Sequence, residues 1–126
     1  MLRDSKAFSG FPVNDLNTAR TFYASTLELD VSEDREMDML TVKMESGKEV
    51  IIYAKPSHEP TAYTMLTFPV DDVDEAVDWL GRRGIRFEEN YADLETDERG
   101  IHRSEGPVVA WFRDPAGNIL SVLETD

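Results

Sequence analysis

The sequence predicts an α+β protein built from two tandem βαβββ modules, which form a curved mixed sheet with a concave cup and carry their helices on the outer face. Two observations predict this fold. A strand, turn and helix pattern occurs twice, since residues 11–16 align with residues 68–73 at an offset of 57. A β-hairpin pattern then follows each copy. The 126 residues are enough for a single domain, with modules at about 7–55 and about 63–124.

Each copy of the repeat carries the pattern of an amphipathic helix. Asn14 or Asp15 is placed to cap the first helix, and Asp72 is placed to cap the second. We expect the helices to span about 16–27 and about 73–83. In the second helix, one apolar stripe has the spacing i, i+3, i+4 and i+7. Its members are Val73, Ala76, Val77 and Leu80.

Each helix is followed by two strand patterns that a short turn joins. Gly47 lies in the first turn and Gly117 in the second, where a hairpin needs a residue with positive φ. The four strands are expected at 39–44, 49–54, 108–113 and 118–124.

The second module is longer than the first. The offset of the repeat grows from 57 at the first pattern to 70 at the hairpins, so 13 extra residues precede the second hairpin. They fall in 91–106, a polar and acidic stretch that we interpret as a long loop over the cup. Loops of this length are usually functional or disordered. His102 in this loop either touches a ligand or is an exposed loop residue. Four acidic residues would attract positive charge at the rim: Asp93, Glu95, Asp97 and Glu98.

Strand alternation divides the strand residues between two faces. The uniformly apolar face should pack under the helices, and it comprises Phe11, Val13, Val50, Ile52, Phe68, Val70, Leu120 and Val122. The mixed face should line the concave cup and includes Phe8, Tyr53, Met65 and Ser121, with Glu49 able to add a carboxylate. Trp111 either lines the cup or packs in the core.

Composition narrows the possible partners. The chain has no cysteine, which excludes disulfides, a thiolate metal site and a cysteine nucleophile. Its formal net charge of -13 disfavours nucleic acid and anionic membranes as partners. The charge either serves solubility alone or favours a cationic ligand. No apolar run approaches the roughly 20 residues of a membrane span. The N-terminus lacks the apolar stretch of a signal peptide, so we expect a cytoplasmic location.

Two motifs resemble the vicinal oxygen chelate superfamily, the group of glyoxalase I, bleomycin-resistance proteins, fosfomycin-modifying enzymes and extradiol dioxygenases. The first is Phe-Pro-Val-Asn-Asp-Leu at 11–16 with Phe22 and Tyr23, and the second is Arg-Asp-Pro-Ala-Gly-Asn at 113–118. The resemblance covers about residues 7–124. It implies duplicated βαβββ modules and, in most enzymes of the group, a divalent metal in the cup.

The resemblance also implies where metal ligands would stand. In the family, one position in the first strand and one in the last strand of each module supply His, Gln or Glu. The matching positions here are Phe8, Ile51, Met65 and Ser121. These side chains do not form a site for Mg²⁺, Zn²⁺, Ni²⁺ or Fe²⁺. We therefore expect no metal and no cofactor.

The sequence favours a metal-independent protein that binds a small molecule, in the manner of bleomycin-resistance proteins that sequester a cationic antibiotic. The alternative is an enzyme, a glyoxalase-like lyase or dioxygenase with an atypical site. Family members usually pair, and an isolated module has an open sheet edge, so we expect a homodimer. The expected ligand-binding residues are Phe8, Glu49, Tyr53, Met65, His102, Trp111 and Ser121.

Overall fold

The computed structural model describes residues 1–125. The chain divides into two compact units between Glu59 and Pro60. Each unit holds one sheet of four strands and one main helix. The elements of the first unit are β1 (Ser9–Val13), α1 (Leu16–Thr21), β2 (Asp30–Asp34), β3 (Met39–Lys43) and β4 (Glu49–Ala54). Those of the second unit are β5 (Thr64–Val70), α2 (Val73–Gly81), β6 (Ile101–His102), β7 (Val109–Arg113) and β8 (Ile119–Glu124).

The two units repeat one topology. The strand order is β1-β4-β3-β2 in the first sheet and β5-β8-β7-β6 in the second. In each unit the first and last strands pair in parallel, and the remaining pairs are antiparallel. This confirms the α+β class and the two βαβββ modules. The concave cup stays a prediction.

Both helices begin at the caps that the sequence indicates. The Asp15 carboxylate accepts a hydrogen bond from the Thr18 N–H at 3.1 Å, and Asp72 accepts one from the Glu75 N–H at 3.2 Å. Each bond satisfies an N–H that has no partner within its own helix. The second helix ends at Gly81, two residues before the expected end.

The first helix differs from its expected form. After α1, residues Phe22–Thr26 form a π-helical turn, in which the Leu27 N–H bonds to the Phe22 carbonyl at 2.9 Å. Phe22 and Tyr23 are both buried, and their rings meet edge to face at 5.1 Å between centroids. A regular helix would direct two consecutive side chains about 100° apart. The wider π-helical turn lets both aromatic side chains enter the same core.

The core of each unit lies between its sheet and its helix. In the first unit α1 packs on β3 and β4, and in the second α2 packs on β7 and β8. Six of the eight residues expected under the helices are buried: Phe11, Val13, Val50, Ile52, Leu120 and Val122. Phe68 and Val70 on β5 are only half-buried. Their counterparts Phe11 and Val13 lie on the edge strand β1 and are buried, so the position at a sheet edge does not account for this exposure.

The edge strands have distinctive compositions. Pro12 lies in β1 and Pro69 in β5, at the edges of their sheets. Proline lacks the N–H that a central strand would need for its ladder. The opposite edges are β2, which carries Asp30, Glu33 and Asp34, and the two-residue strand β6.

Both hairpin glycines adopt the backbone expected of them. Gly47 has φ +93° and Gly117 has φ +84°, in the region that side chains with a Cβ rarely enter. At Gly117 an added Cβ would also lie 2.6 Å from the Cβ of Pro60. Glycine at 117 therefore allows residue 60 to pack directly on the second hairpin.

Candidate functional site

The expected ligand-binding residues of the first unit lie at its surface. Phe8 stands just before β1 and is 66% exposed, and Tyr53 on β4 is 42% exposed. Glu49, also on β4, is exposed as well. Tyr53 pairs with Pro12 on one side and Met39 on the other. On the same face Lys43 lies opposite Glu49 and Thr41 lies opposite Ile51, so this face of the first sheet combines open apolar surface with hydroxyls and charges of both signs.

The equivalent face of the second sheet is covered. Val109, Trp111 and Ile119 form a buried apolar cluster, against which Tyr91 and Leu123 pack. Trp111 is 6% exposed and Ile119 is fully buried. We call this face, with Ser121 and Thr67, the Trp111 face. The burial of this face indicates that Trp111 packs in the core and does not line an open cup.

Hydroxyl groups accompany the Trp111 face. Ser121 pairs with Trp111 across the β7–β8 ladder and with Thr67 across the β5–β8 ladder. The Ser121 Oγ and the Thr67 Oγ1 form a hydrogen bond of 2.9 Å. Met65 lies where the β5–β8 register shifts, between Thr64 and Leu66. A register shift breaks the alternation of side chains, so the simple face assignment of Met65 does not hold there.

Tyr91 is the residue that covers Trp111. It lies in a single 3₁₀ turn, Tyr91–Asp93, at the start of the extra stretch of the second module. The two rings are 4.9 Å apart between centroids and inclined by 38°. The Tyr91 hydroxyl accepts a hydrogen bond from the Thr64 Oγ1 at 3.3 Å and donates one to the Ala62 carbonyl at 3.4 Å. Sequence patterns did not indicate Tyr91, although it is the one Phe, Trp or Tyr in 91–106.

His102 is not an exposed loop residue. It lies on β6, a strand within the stretch expected to be a loop, and is 5% exposed. Its Nδ1 lies 2.7 Å from the Glu95 carbonyl oxygen, and its Nε2 lies 3.1 Å from that of Glu105. Its ring centroid is 6.2 Å from that of Trp111. Both ring nitrogens therefore hold the backbone of the extra stretch, next to the Trp111 face.

An ion-pair network fastens the rest of the extra stretch to α2. The Arg99 guanidinium bonds to Asp74 at 2.9 Å and also to Asp78. The Arg103 guanidinium bonds to Asp74 at 2.6 Å and to Asp97 at 3.1 Å. Asp97, one of the carboxylates expected at an open rim, is thus paired inside this network.

The network shifts the titration of its members. A hydrogen bond from the Arg103 guanidinium holds the pKa of Asp74 below its ordinary value of 3.8, although partial desolvation opposes this. Desolvation raises the pKa of Asp97, but hydrogen bonds from the Ile101 N–H, the Arg103 guanidinium and the Arg99 N–H outweigh it. The pKa of Asp97 therefore also lies below 3.8. The two carboxylates in turn raise the pKa of Arg103.

The motif at 113–118 performs a structural task. The buried Asp114 carboxylate accepts hydrogen bonds from the N–H groups of Ala116 and Asn118, both at 2.9 Å, and from the Asn118 side-chain amide at 3.1 Å. The Arg113 guanidinium bonds to the carbonyls of Gly117 and Thr61 and to the Glu88 carboxylate. These contacts fix the hairpin and the start of the second unit.

The residues at the positions of the family's metal ligands do not fit a divalent metal. Phe8, Ile51 and Met65 carry no oxygen or nitrogen in their side chains, and the Ser121 hydroxyl is already bonded to Thr67. Within residues 1–125, no group of three or more His, Cys, Asp or Glu side chains is arranged to hold a metal ion.

A separate groove runs along α2 on the helical side of the second sheet. Its lining includes four carboxylates and one indole: Asp71, Asp72, Glu75, Asp78 and Trp79. The Arg83 guanidinium lies over the Trp79 ring, 4.1 Å from its centroid. The groove is negatively charged and lies on the side opposite to the face on which a ligand is expected.

None of the helices in residues 1–125 is both long and apolar enough to cross a membrane.

The second unit presents an indole with a flat face, surrounded by apolar side chains and a few hydroxyls. Such a mixture is typical of sites that bind small organic molecules.

Comparison with known proteins identifies similar structures among binding proteins and among enzymes. The protein YraH of Bacillus subtilis (strain 168), itself uncharacterized, is 26% identical over 125 aligned positions, covering 89% of this chain and 91% of YraH. TnmS3, an antibiotic binding protein from Streptomyces sp. CB03234, superposes with a TM-score of 0.71 at 21% identity, covering 98% of each chain. The lactoylglutathione lyase of Agrobacterium tumefaciens superposes with a TM-score of 0.69 at 21% identity, over 94% of this chain and 92% of the lyase.

The two structural likenesses establish the fold and leave binding and catalysis open, since one neighbour is a binding protein and the other a lyase. The family itself is shown by a match over residues 8–122 to the model of one superfamily. The chain belongs to the Glyoxalase/Bleomycin resistance protein/Dioxygenase superfamily.

Proposed function

We propose that this protein binds a small organic molecule without a metal and carries out no metal-dependent reaction. The observation that carries the proposal is the Trp111 face. At the positions of the family's metal ligands the second unit has Met65 and Ser121. Trp111, Ile119 and Val109 pack together beside the Ser121 hydroxyl. An aromatic surface with hydroxyl groups suits binding and orientation of an organic ligand. The alternative, a glyoxalase-like lyase or dioxygenase, lacks such a supporting observation in the described residues.

The ligand that we propose is a cationic one, such as a basic antibiotic. The formal net charge of -13 gives the whole chain a field that attracts cations. The antibiotic binding protein TnmS3 shares the fold at low identity, which is compatible with this proposal. Of the expected site residues, Glu49 would supply a carboxylate, while Phe8, Tyr53, Met65, His102, Trp111 and Ser121 would supply apolar contacts and hydrogen bonds.

Native mass spectrometry of protein purified without chelator tests the first proposal. We expect no stoichiometric Zn, Ni, Fe or Mn after dialysis against buffer alone, and we expect a small organic molecule to be retained or readily accepted. One equivalent of a divalent metal per chain would contradict the proposal, and Glu49 and His102 would then be the first residues to replace in a search for its ligands.

A comparison of two ligands tests the preference for cations. Binding of a basic glycopeptide antibiotic and of a neutral aromatic of similar size is measured at low and high salt. We expect the cation to bind more tightly at low salt and to lose this advantage at high salt, because surface fields are screened. Equal binding without salt dependence would refute the preference. Binding unchanged in both Glu49→Gln and Tyr53→Ala would show that these two residues do not belong to the site.

We also propose a homodimer that acts in the cytoplasm. Two of the expected site residues, Phe8 and Tyr53, leave large apolar groups exposed on the first unit, as does Met37. Exposed apolar groups of this size favour association. Sedimentation is expected to give about twice the chain mass of 14.3 kDa at micromolar concentration. A monomer would refute the dimer, and cell fractionation tests the location.

A further inference from the structure

The segment of residues 90–96, which we call the strap, is closed on itself by its two end residues. The Asn90 N–H donates to the Thr96 Oγ1 at 3.0 Å, and the Thr96 N–H donates to the Asn90 Oδ1 at 3.3 Å. Beyond the strap, Arg99 and Arg103 bind α2, and the His102 ring holds the Glu95 carbonyl. The strap is therefore a small loop with firmly held ends, and its tip can move without releasing the rest of the extra stretch.

The tip of the strap has a strained backbone. Asn90, Ala92 and Asp93 have φ values of +54°, +55° and +63°. Asparagine and aspartate tolerate this region because their side chains can bond locally, but alanine has no such compensation. Non-glycine residues held in this region are stabilised only by their surroundings and often mark segments with a functional motion. The closed strap thus stores strain that would be released on opening.

The contact that opposes opening is the packing of the Tyr91 ring, tilted by 38°, on Trp111. The ring centroids lie 4.9 Å apart, within the range of favourable aromatic pairs. The hydrogen bonds of the Tyr91 hydroxyl, at 3.3 and 3.4 Å, lie beyond the usual distances for hydroxyl groups and are weak. A planar aromatic group that reached the Trp111 indole would have to replace this contact and the packing of Tyr91 on the apolar cluster.

We propose that Tyr91 is a built-in occupant of the Trp111 face, which leaves the indole when a planar aromatic ligand stacks there. This inference rests on the proposed binding function and adds the class of ligand and the residue that controls entry. Tyr91 then sets specificity, because only a group that stacks on Trp111 better than a tyrosine ring displaces it. A non-planar cation gains nothing from the exchange, whatever its charge.

The test uses Trp79→Phe as background, so that Trp111 is the only tryptophan in the chain. Two planar tricyclic probes, neutral acridone and cationic proflavine, are compared with 1-adamantylamine, a cation without a flat ring. Affinities are measured by calorimetry, and quenching of Trp111 emission by acrylamide reports whether the indole is covered before any probe is added. Tyr91→Phe keeps the ring and serves as the matched control for Tyr91→Ala.

Removing the Tyr91 ring should strengthen binding of both planar probes by about three- to tenfold, the amount by which an aromatic pair is favoured. Acrylamide quenching should rise in Tyr91→Ala without probe and stay unchanged in Tyr91→Phe. Ala92→Gly removes the strain of the closed strap, so it should weaken binding of the planar probes by about fivefold. Trp111→Leu should abolish binding of both, and adamantylamine should show no response to any of these variants.

Weaker planar-probe binding in Tyr91→Ala would overturn the inference, because Tyr91 would then be part of the site. Equal binding in Tyr91→Ala and Tyr91→Phe would overturn it as well. If no planar probe binds any variant, the inference fails, while the proposed binding function is still judged by the molecule that native mass spectrometry finds retained. Far-UV circular dichroism confirms that each variant is folded.

Discussion

The two units share a strand order and differ in what covers the same face of the sheet. Glu49 and Ile51 on β4 correspond to Ile119 and Ser121 on β8 at the offset of 70. In the first unit Glu49 is exposed and Ile51 is half-buried, whereas Ile119 and Ser121 are both buried. The difference follows from the 13 extra residues, which place Tyr91 on Trp111. A charged residue is tolerated where the face is open, and an apolar one is needed where it is covered.

This comparison shows that an insertion can change the chemistry of a duplicated module without changing its topology. The first unit keeps an open face of apolar and polar groups, and the second turns the same face into a small apolar core with a removable cover. Both units keep the hydrogen-bonded ladders that define the fold. The fold alone therefore does not predict the function of such a protein.

The largest expected effect comes from removing apolar volume beneath the cover. Ile119→Ala should lower the free energy of unfolding by about 2–5 kcal/mol, because a fully buried side chain leaves a cavity. Its counterpart Glu49→Ala should change it by less than about 0.5 kcal/mol, as for other surface replacements. Urea unfolding of both variants checks this. Comparable losses at the two positions would show that the faces are not differently buried.

A second pair of variants compares two glycines with positive φ. Gly47 in the first unit has φ +93° and open space around it, whereas Gly100 in the extra stretch has φ +81° and would place a Cβ 2.7 Å from that of Phe87. Gly47→Ala should cost about 1–2 kcal/mol from backbone strain alone. Gly100→Ala should cost about 1–3 kcal/mol more, because overpacking is added. Thermal unfolding followed by circular dichroism measures the difference, which would vanish if the extra stretch packed loosely.

The smallest expected effect concerns the ion pairs between the extra stretch and α2. Arg103→Gln should lower the free energy of unfolding at pH 7 by up to about 1 kcal/mol, since the groups are partly exposed. The pKa values of Asp74 and Asp97 are lowered in the folded chain. Their contribution is therefore complete above about pH 4, the ordinary carboxyl range, and is lost as pH falls through the lower folded values.

Urea unfolding at pH 7 and at pH 3 measures this contribution. The difference in the free energy of unfolding between the unmodified protein and Arg103→Gln should be smaller at pH 3, because the carboxylates take up protons. Arg86→Gln, at an exposed arginine outside the network, is the control and should show no such difference. A difference that is unchanged at pH 3 would mean that the arginine acts through packing rather than through charge.

Local patterns predicted the parts of the molecule that local physics determines. The caps Asp15 and Asp72, the turn glycines and the buried strand residues follow from spacing, periodicity and the restrictions on φ. The two-residue strand β6 is too short for any periodicity to reveal. The network also escaped notice, because Arg103 and Asp74 lie 29 residues apart in the chain and meet only through tertiary structure.

The site was predicted less completely than the fold, for a related reason. Strand alternation and the extra stretch predicted Trp111, Ser121 and His102 as candidates, and the second unit brings these three to one region. Tyr91 was not predicted because its position depends on the positive φ values of neighbouring residues. The residue types of the segment do not indicate these values. The exposed candidates of the first unit, Phe8, Glu49 and Tyr53, stay predictions that binding measurements must judge.

The composition of the outer strands bears on how this chain behaves at high concentration. A regular sheet edge can recruit further chains and grow into fibrils of the cross-β type. Here Pro12 and Pro69 interrupt the hydrogen-bonding pattern of two edges, the carboxylates of β2 repel another copy at a third, and β6 is too short to template a strand. Any assembly of this protein should therefore proceed through side-chain surfaces and not through strand pairing between edges.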